Sequence, residues 1–199
     1  MASDRRAGAV NALTKAMRDL QLRLEQNVPA LPATAVELHE QFGRVLRRAI
    51  LDEALVNGVY DVGQLLRLTV ASRSGDPNVF ALTGGPKDFG RTDTPEHVSH
   101  FIRDDGAVIH FALIVRERPG APLDLVVYGF EIYFPSQQPI AFVRFDLNDR
   151  RHSNDDLGLR AHLHPGNEDL QLPSPLMSPL DALNFLIYRC RPRRDTPRS

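Results

Sequence analysis

The hydrophobic period of the chain changes from about 3.6 residues to about 2 near Thr94-Pro95, so helices must be built first and strands afterwards. Upstream, Val10, Leu13, Met17, Leu20 and Leu24 recur at helical spacing and predict an amphipathic helix over 6–26, ended by Pro29 and Pro32. Thr34 and Glu37 have capping-box spacing, in which hydroxyl and carboxylate each satisfy a free backbone N–H at a helix start. Leu38, Phe42, Val45 and Ala49, flanked by Leu46 and Ile50, form the inward stripe of a second helix, which Asn57-Gly58 is expected to stop. Asp61 is expected to cap a third helix running to about residue 72, with Val62, Leu65, Leu66 and Thr69 inward.

Residues 73–95 are rich in Gly, Pro, Asp and Ser and read as a long loop holding at most a short strand over 79–82. Its GGPK has neither the spacing nor the strand-loop-helix setting of a phosphate-binding loop. Downstream, residues 110–116, 125–134 and 140–147 are rich in Val, Ile, Phe and Tyr and are joined by connections of hairpin length, so they predict an antiparallel sheet. A strand is also expected over 95–104, before the turn-like RDDG, and a short one over 159–164. Ser178 and Pro179 then open a last helix with Leu180, Leu183, Leu186 and Ile187 inward. The expected class is α+β: helices, then a mainly antiparallel sheet of four to five strands and a C-terminal helix. In segments, 1–75 is the helical N-terminal region, 76–95 the loop, 96–190 the sheet with its helix, and 191–199 a disordered basic tail.

Composition removes several function classes. One cysteine, Cys190, leaves no internal disulfide, Cys-rich zinc site or redox pair, which fits a reducing cytoplasm. No apolar run suits a signal peptide or a bilayer span, so membrane is not an expected partner. The formal net charge of −1 conceals a split, −6 over residues 58–188 and +4 over 189–199, so only the tail offers an electrostatic contact for RNA or an acidic partner. Arginine outnumbers lysine 22 to 2, a bias that a GC-rich coding sequence explains better than RNA binding does.

Strand alternation gathers the candidate chemistry on one face. Over 159–164, Leu159, Ala161 and Leu163 point one way and Arg160, His162 and His164 the other; over 141–147, Ala141, Val143, Phe145 and Leu147 oppose Phe142, Arg144 and Asp146. Six of the seven histidines lie between 97 and 164, and His152 sits in the loop joining these two strands. Three readings remain open. In RNA cleavage, His162 or His164 would pair with His152 to move protons while Arg144 or Arg160 binds the phosphate, without a cofactor. In metal binding, histidines at i and i+2 would chelate one ion with Asp146 as third ligand. In the third, the face is exposed, Arg144 pairs with Asp146 and the histidines satisfy carbonyls. The pairs Asp155-Asp156 and Glu168-Asp169 read as solvent-facing loop acids, and Tyr128, Phe130 and Tyr133 as core rather than base-stacking aromatics.

The second half resembles the TumE-like toxins of bacterial toxin-antitoxin operons. The resemblance rests on YGFEIYFPSQQPIAFVRFDLND, a His-containing loop, HLHPGNEDL, a proline linker and a final leucine-rich helix, over roughly residues 108–190. Arg144, Phe145 and Asp146 match the family's Arg-(Tyr/Phe)-Asp-Asn strand end, His152 its loop histidine, and His162 and His164 its His-x-His strand. Leu147 intervenes before Asn148, the loop has one histidine where the pattern has a pair, and the helical third is longer. The resemblance implies a small cytoplasmic toxin, a ribonuclease-like hydrolase or transesterase, neutralised by a DNA-binding antitoxin partner. A non-catalytic interaction or regulatory module, a metal-dependent enzyme and a homodimer are the competing expectations.

Overall fold

The computed structural model describes residues 30–71, 75–85, 100–134, 140–149 and 159–191, together with Lys15 and Asp19. The helix expected over 6–26 otherwise lies outside the described residues, as do His152 and the tail beyond Arg191. Helix α1 spans Ala35–Leu51 and opens on the expected capping box, with Glu37 N donating to Thr34 Oγ1 at 3.2 Å and Thr34 N to the Glu37 carboxylate at 3.4 Å. Leu38, Phe42, Leu46 and Ala49 are buried along its inward stripe. It ends six residues before Asn57, because Glu53 takes the left-handed conformation at φ 58. Asn57 instead bridges to the sheet, donating to His100 O and accepting from Ile102 N.

The third helix is a single turn, α2, Asp61–Leu65, and its expected continuation is strand β1, Leu66–Val70. Leu66, Leu68 and Val70 satisfy either period over so short a run; the β-branched Thr69 and Val70 and pairing with β2, Val79–Gly84, decide for the strand. The sheet thus begins inside the segment expected to be helical and continues through the one expected to be loop. Six more strands follow: β3 Phe101–Ile102, β4 Val108–Arg116, β5 Asp124–Tyr133, β6 Phe142–Leu147, β7 Ala161–His164 and β8 Leu172–Pro173. They form one eight-stranded sheet in the order β1-β2-β4-β5-β6-β7-β8, with β3 paired to β4, and every pairing is antiparallel. The α+β class stands, and the four to five strands expected become eight. The excess comes from β1, which lies where a helix is expected, from β2 in the expected loop, and from β8, which is only two residues long.

One sheet face carries the core. Phe111 and Phe130 stack at 5.3 Å between ring centroids, and Phe42 of α1 packs on Phe111 at 5.1 Å. The C-terminal helix α3, Pro179–Asn184, is capped by Ser178, whose hydroxyl accepts from Asp181 N, and it continues as a π-helical turn over Phe185–Arg189. Leu183, Leu186 and Ile187 are buried there, and Phe185 meets Phe145 edge-on at 5.5 Å. Tyr128 and Phe130 belong to this core, whereas Tyr133, expected with them, is half-buried and alternates onto the opposite face with Glu131. The antiparallel register sets two cross-strand rows on the opposite face: His110, Glu131, Arg144 and His164 in one, and Ala112, Gly129, Asp146 and His162 in the next. Among the described residues, no helix is long and apolar enough to cross a membrane.

Candidate metal centre

Strands β6 and β7 bring Asp146, His162 and His164 together because Asp146 lies directly across from His162 and Arg144 across from His164. The Nε2 atoms of the two histidines are 3.1 Å apart, and Asp146 Oδ2 stands 3.3 Å from His164 Nε2 and 3.7 Å from His162 Nε2. Ligand atoms held at about 2.0–2.1 Å around a tetrahedral zinc ion stand about 3.3 Å from one another, so the three edges bracket that value. An ion about 2.1 Å from all three atoms would sit about 0.7 Å off their plane, as it does in a tetrahedron.

The outer hydrogen bonds fix which nitrogens face the centre. His162 Nδ1 meets Leu159 O at 2.9 Å, and His164 Nδ1 meets Asn167 O at 3.3 Å. A carbonyl oxygen only accepts, so each Nδ1 donates outward and each Nε2 faces the centre. Burial, followed by the charges of His164 and Arg144, holds His162 below the ordinary imidazole range although Asp146 and the Leu159 hydrogen bond oppose the shift. The two Nε2 atoms and a carboxylate oxygen therefore converge, an arrangement suited to a cation or a shared proton between them.

Arg144 holds the same oxygen of Asp146. Its Nε donates to Asp146 Oδ2 at 2.8 Å, its two terminal nitrogens take the Glu168 carboxylate in a fork at 3.0 and 2.8 Å, and Glu131 lies 3.6 Å away. Burial opposes its charge, but Asp146 and Glu168 outweigh that and hold the guanidinium above its ordinary value. Burial likewise raises the Glu131 carboxyl, with Arg144 partly offsetting it. Three carboxylates thus surround one arginine, and the surplus negative charge lies beside the two Nε2 atoms.

The expected exposed face is corrected: His162 and His164 are each only 2% exposed, and Arg160 is 4% exposed. The buried groups share the face with Arg144 and Asp146, whose side chains keep 24% and 16% of their exposure. Arg144, Asp146, His162 and His164 meet as the alternation implies. Arg160 is buried just before β7, where its carbonyl accepts from Asn148 N at 2.8 Å. Tyr128 feels its charge, though burial dominates and raises the phenol. His152, the proposed partner in proton transfer, lies outside the described residues. Sequence reasoning missed Glu168, set aside as a solvent-facing loop acid, and also Glu131 and His110. The alternation of Gly129, Glu131 and Tyr133 against Tyr128, Phe130 and Ile132 was the available signal for Glu131. No family model, curated protein or solved structure matches the chain.

Proposed function

We propose that the protein is a metal-dependent hydrolase whose centre is one divalent ion, zinc by geometry, held by Asp146, His162 and His164. The observation that carries this reading is the convergence of Asp146 Oδ2 and the two histidine Nε2 atoms at 3.1, 3.3 and 3.7 Å. Three protein ligands of this kind are the number that a catalytic zinc centre takes. A bound ion there supplies a Lewis acid and a water whose pKa falls to about 7. The chain's own contribution is orientation: Leu159 and Asn167 carbonyls fix the imidazole tautomers, and Arg144 with Glu168 fixes the carboxylate.

Elemental analysis of the purified protein, and of the protein after dialysis against zinc, iron(II), manganese(II) or cobalt(II), tests the centre. The expected result is one ion per chain, lost in His162→Ala and in His164→Ala. Failure of all four metals to bind the wild-type protein overturns the proposal and leaves a proton shared between the imidazoles.

RNA remains the substrate that the resemblance to TumE-like toxins suggests, with one change of roles. Arg144 is committed to Glu168 and Asp146, so a metal-activated water suits phosphodiester cleavage better than a free arginine does. On the toxin reading, expression of the protein should arrest growth, and His162→Ala or His164→Ala should relieve the arrest. Undiminished arrest by both stably folded variants would sink the toxin reading at this site.

A further inference from the structure

A second polar cluster lies on the same sheet face, around Gly85, which follows β2 at φ +91. A Cβ there would fall 3.1 Å from His110 Cβ and 3.7 Å from His100 Nδ1, so the bare backbone lets both histidines close in. Their ring centroids are 5.9 Å apart. From β1, Arg67 donates through Nη2 to Gly85 O. Arg67 Nε and both ring nitrogens of His100 are buried with no hydrogen-bond partner among the described residues. Folded proteins seldom leave such atoms unpaired, and several around one glycine point to a ligand that the cluster is shaped to hold.

The chemistry of that ligand follows from the donors. Arg67 is cationic and, among the described residues, no carboxylate pairs with it. His100 offers an N–H donor in either tautomer, and His110 lies beside it with Glu131 at 3.8 Å. An oxyanion with several acceptor oxygens matches a guanidinium and an imidazole converging on a position without a side chain.

We propose that Arg67, His100 and His110 around Gly85 bind a phosphate group, the anionic end of the substrate whose reacting bond lies at Asp146, His162 and His164. The assignment rests on the metal-centre reading for what the phosphate is attached to, and stands without it for phosphate binding itself. Strand β4 is two inter-strand steps from β6, about 10 Å, and the small residues Ala112 and Gly129 lie in the row that leads from β4 to Asp146. The substrate class is therefore a phosphate-bearing molecule about 10 Å long, a description that a short oligonucleotide satisfies.

Titration with inorganic phosphate, followed by NMR of the histidine side chains with and without zinc, separates the two readings. Saturable shifts are expected at His100 and His110, with Arg67→Gln and His100→Gln each weakening binding at least tenfold while still taking up one zinc ion per chain. The phosphate site is overturned by the absence of saturable shifts, by equal affinity in both variants, or by shifts confined to His162 and His164. Phosphate binding in a protein that takes up no zinc would retain this site and remove the metal centre. Two variants are used so that a folding defect in one leaves the other as the test.

Discussion

At the residue scale, two alternating patterns in the sequence were enough to bring Arg144, Asp146, His162 and His164 together. Their actual chemistry depends on groups the pattern does not reach: the carbonyls of Leu159 and Asn167, which orient the imidazoles, and Glu168, which occupies the arginine. Asp146→Asn preserves shape but removes the anionic ligand, so zinc affinity measured against a chelating dye should fall by more than the roughly 10- to 100-fold typical of an outer-shell change. Unchanged affinity would exclude Asp146 as a ligand. Burial also pushes His110 down to about 4, helped by His100 and Arg144, and burial lowers His100 and His162 as well. A histidine with a lowered folded pKa takes up its proton more readily in the unfolded chain, so its stabilising contribution is present above the ordinary value of 6.5 and is lost as pH falls towards the folded one. Thermal midpoints should therefore drop between about pH 6.5 and pH 4, and His110→Gln should flatten that slope; equal slopes would remove His110 as a source of it.

At the scale of elements, the capping box, the α1 stripe and the Ser178-Pro179 helix start follow from local chemistry and appear in the structure as expected. The third helix does not, because Leu66–Val70 is too short for its period to discriminate and gains a complete ladder against β2. The ladder between β2 and β4 brings Gly84 opposite Phe111, whose ring folds over the glycine: a Cβ there would lie 2.2 Å from Phe111 Cε1. Gly84→Ala should consequently cost about 3 kcal/mol in urea unfolding, at the upper end of overpacking effects. Adding Phe111→Leu should recover part of the loss, whereas a neutral Gly84→Ala would contradict this packing.

At the scale of the molecule, Arg103 joins the β3–β4 hairpin to the C-terminus. It is fully buried, donates to Leu186 O at 2.8 Å and Cys190 O at 2.6 Å, and forks onto Asp105, whose carboxyl it holds below the ordinary range. Arg103→Met would leave these acceptors unpaired, and a loss of about 3 kcal/mol is expected in chemical denaturation; a change under about 0.5 kcal/mol, the scale of an ordinary surface substitution, would show the latch to be dispensable. Zinc at a thousandfold excess over its dissociation constant should stabilise the fold by about 4 kcal/mol, visible as a raised thermal midpoint that His164→Ala abolishes. The sequence by itself determined the α+β class, the starts of α1 and α3 and which side chains of β6 and β7 share a face, because caps and alternation act between residues close in the chain. Only the tertiary structure decided that the sheet has eight strands, that Glu168 holds Arg144 and that the histidines are buried with their Nε2 atoms facing each other. Those features depend on register and cover between segments distant in sequence, which local spacing does not encode.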